Sequence, residues 1–131
     1  MLTHLNITGL YASILAFILV ALSFHIIKLR LKLKVGLGDG GQKPLIKAIR
    51  IHGNFTEYMP LALILLASYE LNGGDSVYLH IAGISLVIGR ILHAMGLSRS
   101  MGTSLPRQLG MLSTFTVLVV LAILNILAFI G

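Results

Sequence analysis

Apolar residues run through this chain in four stretches, each about the length needed to cross a bilayer and separated from the next by a short polar break. The first, Ile7 to Ile27, is followed by Lys28, Arg30, Lys32 and Lys34, which alternate with Leu29, Leu31 and Leu33. This predicts a helix over about 7–34 whose end passes the interface, the long basic stems snorkelling to water. No Lys or Arg precedes the run. A signal peptide would open on a basic leader and carry a shorter apolar core, so a retained helix is expected.

The stretch Gly36-Leu37-Gly38-Asp39-Gly40-Gly41 breaks the first helix, and Pro44 suits the first turn of the next. A second helix is predicted over about 44–71, polar in its first half and apolar in its second, with Pro60 as a kink. Asn72-Gly73-Gly74-Asp75 forms a tight turn. The third helix, about 76–97, is apolar through Gly89 and then carries Arg90 and His93, while the fourth, about 106–130, is almost purely apolar after Arg107. There is no convincing internal repeat.

Composition narrows the class. Of 131 residues, 56% are hydrophobic and only 11% charged, against roughly a quarter charged in soluble domains. At about 20 residues per span the length holds four spans and little else, so residues 1–131 are expected to form a single all-α integral membrane domain, a four-transmembrane-helix bundle. Absence of cysteine excludes disulfides and a protein thiol nucleophile, so any thiol must come with a ligand. An isoelectric point near 10.1 does not imply nucleic acid, because all ten Lys and Arg residues fall near the first or the third break rather than on a soluble face. By the positive-inside rule both basic loops are expected in the cytoplasm and both termini outside.

On the second helix Arg50, Asn54 and Glu57 are spaced by four and three, with Tyr58 adjacent, and so share one face. On the third, Arg90 and His93 share another. Two polar faces at similar depth should meet. A packing ion pair between Glu57 and Arg90 or Arg50 would satisfy the rule that buried charges pair. Against it stands the excess of cations, with Lys28, Arg30 and Arg107 at the rim, which suits an anionic ligand whose planar carboxylates Arg can grip in bidentate fashion.

Other features read more plainly. The glycine-rich loop lacks the ending of a phosphate-binding loop and is expected to be a turn. Asn54-Phe55-Thr56 matches a glycosylation sequon at an unsuitable depth. His4 is terminal, His25 and His80 sit alone on apolar helices, no His pair has metal-ligand spacing, and the Met residues read as packing or lipid-facing positions.

Length, four spans, the Gly38-Asp39-Gly40-Gly41 loop, Arg50-x-His52-x-Asn54-x-x-Glu57-Tyr58-x-Pro60 and Gly89-Arg90-x-x-His93 together make the chain resemble the membrane-associated proteins in eicosanoid and glutathione metabolism, the MAPEG family, and its small bacterial branch in particular. The resemblance implies a homotrimer in a bacterial inner membrane, with glutathione bound between subunits toward the cytoplasm. Arg50, Asn54, Glu57 and Tyr58 match glutathione-contacting positions, His52 stands where relatives have His or Gln, and Arg90 matches a family arginine. His93 joins them on the third helix, and Lys28 or Arg30 would be the basic residue from the first. Arg107, or Arg99, would activate the thiol. His93 and Leu97 stand where eicosanoid-producing relatives have tyrosines. The implied activity is transferase or peroxidase chemistry on hydrophobic or lipid electrophiles. The alternatives are a non-catalytic lipid or hydrophobe binder and a small transporter, the last disfavoured by the lack of repeats and broken helices.

Overall fold

A computed structural model describes residues 4–131, which form four helices: α1 (Asn6–Leu33), α2 (Lys43–Leu71), α3 (Ser76–Arg99) and α4 (Leu105–Ile130). The predicted boundaries hold to within two residues. Lys34, expected to end α1, instead adopts a left-handed conformation (φ 56°) as its C-cap, and α2 runs on as one helix through Pro60. Three helices, α1, α3 and α4, are long and apolar enough throughout to cross a membrane. The fourth, α2, combines an apolar second half with the polar segment that holds the candidate site.

α2 is the spine of the bundle. It buries Leu45, Ala48, Ile51, Phe55, Met59, Ala62, Leu66 and Tyr69 at spacings of three and four, a stripe along one side of its 29 residues. It packs on all three other helices, whereas α1 and α4 do not touch among the described residues and lie on opposite sides of the α2/α3 pair. The remaining surface carries Phe17, Phe24, Ile64, Ile81, Leu112, Ile123 and many like them, an apolar belt suited to lipid.

α3 and α4 meet through glycines. A methyl group on Gly96 would lie 2.6 Å from the Arg107 nitrogen, and one on Gly110 would lie 2.7 Å from the His93 nitrogen and closer still to the Gly89 carbonyl. Only residues without a side chain allow the two backbones this close. Ser113 fixes the register by donating to the Ser85 carbonyl at 2.9 Å.

At the opposite end from the basic loops, helix starts are completed by acids. Asp75 caps α3 by accepting from the Val77 amide at 2.8 Å. α1 has no side-chain cap of its own; Glu70, from the end of α2, accepts from the Ile7 and Thr8 amides at 2.9 and 2.7 Å. Tyr11, buried, meets His80 Nδ1 at 2.8 Å and packs over Gly83, so α1 is fixed to α2 and α3 together.

Candidate functional site

The α2 polar segment wraps from the outer surface toward the bundle interior. Arg50 and Glu57 face outward and are half-exposed, at 55% and 51%. Asn54 and Tyr58 lie at the edge of the buried stripe, Tyr58 stacking edge-on against Phe115 of α4 with ring centres 5.4 Å apart. His52 is on the other edge, where its Nε2 meets Ser23 of α1 at 3.0 Å.

Arg90 of α3 is 3% exposed and His93 is 2% exposed. Arg90 and His93 lie three residues apart on α3, and the start of α4 closes on the same stretch, Gly110 against the His93 backbone and Gly96 against the Arg107 backbone. The two polar faces converge on α4, where Tyr58 packs on Phe115 and Arg90 lies against Met111 one turn away.

What the cluster lacks is negative charge. The ion pair among the described residues joins Arg50 Nη1 to Glu57 Oε1 at 3.5 Å, within α2 itself. An exposed pair at that distance contributes about 0–1 kcal/mol and, being inside one helix, cannot lock two helices together. Arg90 has no carboxylate within ion-pair distance among the described residues. Its Nη2 has only the Met111 thioether at 3.9 Å, and its Nη1 is buried without an acceptor. Asn54 Oδ1 is likewise buried without a donor. A packing role for Glu57 against Arg90 thus finds no geometric counterpart.

The rim cations divide. Arg107, in the first turn of α4, donates through Nη1 to the Met101 and Gly102 carbonyls at 3.2 and 3.3 Å, which fixes the α3–α4 loop. Arg99 is exposed at the end of α3. Arg30 donates to Val35 and Gly38 carbonyls at 3.2 and 2.8 Å, holding the α1–α2 loop, and Lys28 is exposed on α1 with no hydrogen bond or ion pair among the described residues. Of the sequence-derived set, the structure brings Arg90 and His93 of α3 against the start of α4 that carries Arg107, with Arg50, Asn54, Glu57 and Tyr58 on α2. Lys28, Arg30 and His52 stand outside that cluster. Among the described residues no three of His, Asp and Glu gather as metal ligands.

Two residues of the cluster escaped the sequence reading. Met111 and Phe115 lie one and two turns beyond Arg107 on the same α4 face, and that four-residue spacing was the available signal. On a different face of α4 a groove of 330 Å³ runs along α3 and α4, lined by Tyr78, Ile81, Ser85, Thr116, Val120 and Leu124 among others. A second of 310 Å³ shares Ser85, Thr116 and Val117 with it and continues to Leu109 and Leu112.

A profile described as the MAPEG family matches residues 8–127. The inner membrane protein YecN of Escherichia coli K12 is 38% identical over 120 residues, which cover 92% of this chain and 90% of YecN. The same protein from strain O6:H1 matches equally. A match over nearly the whole chain, joined to four helices and the Arg-rich α2–α3–α4 cluster, establishes that the chain belongs to the MAPEG family of integral membrane proteins.

Proposed function

We propose that this protein binds glutathione and uses it as co-substrate in transferase or peroxidase chemistry on hydrophobic electrophiles. The observation that carries the reading is the buried Arg90 of α3, which leaves Nη1 unpaired and has no carboxylate partner among the described residues. A buried cation without a counter-charge is costly, and an anionic ligand supplies what is missing. Glutathione brings two carboxylates for the guanidiniums and an ammonium for Glu57. Asn54 Oδ1 offers an acceptor for a peptide N–H.

Glu57 also supports a shared site. It sits at the midpoint of α2, yet half of it is exposed. A carboxylate turned to lipid near mid-bundle is strongly unfavourable, so a neighbouring protomer of a homotrimer covers that face and completes the pocket. The basic loops then lie in the cytoplasm and the helices in the bacterial inner membrane, the membrane for which YecN is named.

In the bound state Arg107 stabilises the thiolate. A thiol of pKa about 8.5 is a few per cent ionised at neutral pH. Moving it down by about two units takes roughly 2.7 kcal/mol, within reach of one charge-assisted contact in a partly dry site. Attack by the thiolate sulfur on an apolar electrophile gives the conjugate. Attack on a lipid hydroperoxide forms an S–O bond and breaks the O–O bond, giving the sulfenic acid and, after protonation, the lipid alcohol; a second glutathione thiol then displaces water from the sulfenic acid to give the disulfide. The α3–α4 grooves offer an apolar surface on which a hydrophobic molecule could rest.

The test is the ultraviolet difference spectrum of the purified protein with and without glutathione at neutral pH. A thiolate band that fades in Arg107→Ala, with binding retained by titration, is the expected result. Binding without any band in the wild type would favour the non-catalytic hydrophobe binder, for which the apolar α3–α4 groove is the supporting observation. If Arg107→Ala and Arg99→Ala both keep the full rate with a model electrophile, thiol activation by arginine is wrong.

A further inference from the structure

The α1–α2 loop is built more rigidly than a connector requires. Lys34, Gly38, Gly40 and Gly41 all take positive φ, Gly40 packs on the Val35 side chain, and Asp39 accepts from the Gly41 amide at 2.8 Å. Arg30 then clamps the loop through the Val35 and Gly38 carbonyls. The residue held at the tip by these contacts is Leu37, which is 92% exposed. Nothing in the protomer's own packing explains why a leucine should be presented there.

Its surroundings suggest an occupant. Seven of the ten basic residues fall between Lys28 and Arg50, against the single acid Asp39. Arg30, Lys47 and Arg50 are engaged with Gly38, Ser98 and Glu57 respectively. Lys32, Lys34 and Lys43 flank the loop on both sides, and none has a hydrogen-bond or ion-pair partner among the described residues. Leading up to them, Phe24, Ile27 and Leu31 form an exposed apolar strip on α1. Positive charge beside an apolar strip and a fixed, projecting leucine complements a phosphodiester with acyl chains below it.

We propose that the α1–α2 loop is a docking site for anionic phospholipid, with Lys32, Lys34 and Lys43 holding the headgroup phosphate, Leu37 inserted between acyl chains, and one chain lying along Phe24, Ile27 and Leu31. The site is separate from the arginine cluster and does not depend on glutathione. It would hold the basic end of the protein at a fixed depth in a negatively charged leaflet.

The experiment is lipid binding to the delipidated full-length protein in neutral detergent, comparing phosphatidylglycerol with phosphatidylcholine by native mass spectrometry. A lysine near a negative lipid surface contributes roughly fivefold, so three give a preference of about a hundredfold. The combined variant Lys32→Gln, Lys34→Asn, Lys43→Gln should bring the preference to within about fivefold while its helical circular dichroism is unchanged. Equal binding of the two lipids by the wild type, or a preference that survives in the variant, overturns the proposal. Should the variant fail to fold, the wild type decides: its preference must collapse when salt is raised to about 0.5 M, because exposed charges are then screened. If Leu37→Ser changes the oligomeric mass and leaves lipid binding intact, the loop is a contact between copies and the lipid site is refuted.

Discussion

The two ends of the bundle treat their polar groups in opposite ways. At the end of Glu70 and Asp75, both carboxylates complete helix starts, and Tyr11 and His80 satisfy one another. Unpaired atoms there, such as Thr8 Oγ1, are neutral. At the other end a charged group, Arg90, is buried with its Nη1 unpaired, and Asn54 of α2 has a buried, unpaired acceptor. Polar groups that are already satisfied hold a structure together, whereas a buried charge without a partner is a cost that folding alone does not explain.

The sharpest way to break this contrast is Arg90→Met. If Arg90 serves the ligand, glutathione affinity should fall at least a hundredfold by calorimetric titration, while the thermal midpoint in detergent stays level or rises. A loss of stability of about 3 kcal/mol or more, as expected when a paired buried charge is broken, would instead make Arg90 structural. Gly110→Ala probes the scaffold of the same end. The added methyl would meet the α3 backbone at His93, so a loss of about 1–3 kcal/mol is expected from overpacking. A variant as stable as the wild type would show that the α3–α4 seam is looser than described.

At the opposite end Glu70→Gln should lower stability by about 1–2 kcal/mol, through weakened bonds to the Ile7 and Thr8 amides and loss of charge at a helix N-terminus. Glutathione affinity should not change; a tenfold drop would erase the distinction between the ends. The smallest stability effect is expected for Glu57→Gln, within about 0.5 kcal/mol because the Arg50 pair is long and exposed. Its affinity for glutathione should nevertheless fall about tenfold, and unchanged binding would remove Glu57 from the site.

Much of this was legible in the chain. Long apolar runs, Pro44 and Pro106 near helix starts and glycine-rich breaks gave the four helices, because these signals are local. The α2 motif was readable for the same reason: Arg50, Asn54 and Glu57 share a face by spacing alone. Partners distant in sequence were not readable. No pattern near Glu70 announces that it caps a helix 62 residues earlier, nor does Arg30 announce that its donors turn back to Val35 and Gly38 rather than inward. The Met residues read as packing or lipid-facing positions in the sequence, because a thioether gives no sign that a guanidinium lies against it, as Arg90 does against Met111.

The bond from Glu70 to the start of α1 also bears on biosynthesis. As the chain emerges, α1 is made first, yet the acceptor for its Ile7 and Thr8 amides does not exist until the last turn of α2 has been synthesised. Before that, water at the helix end must serve those amides, so the first turn of α1 gains its protein partner only when the second helix is in place. Chains arrested before residue 70 should expose the first turn of α1 to rapid amide exchange, and chains extended beyond it should protect those same amides.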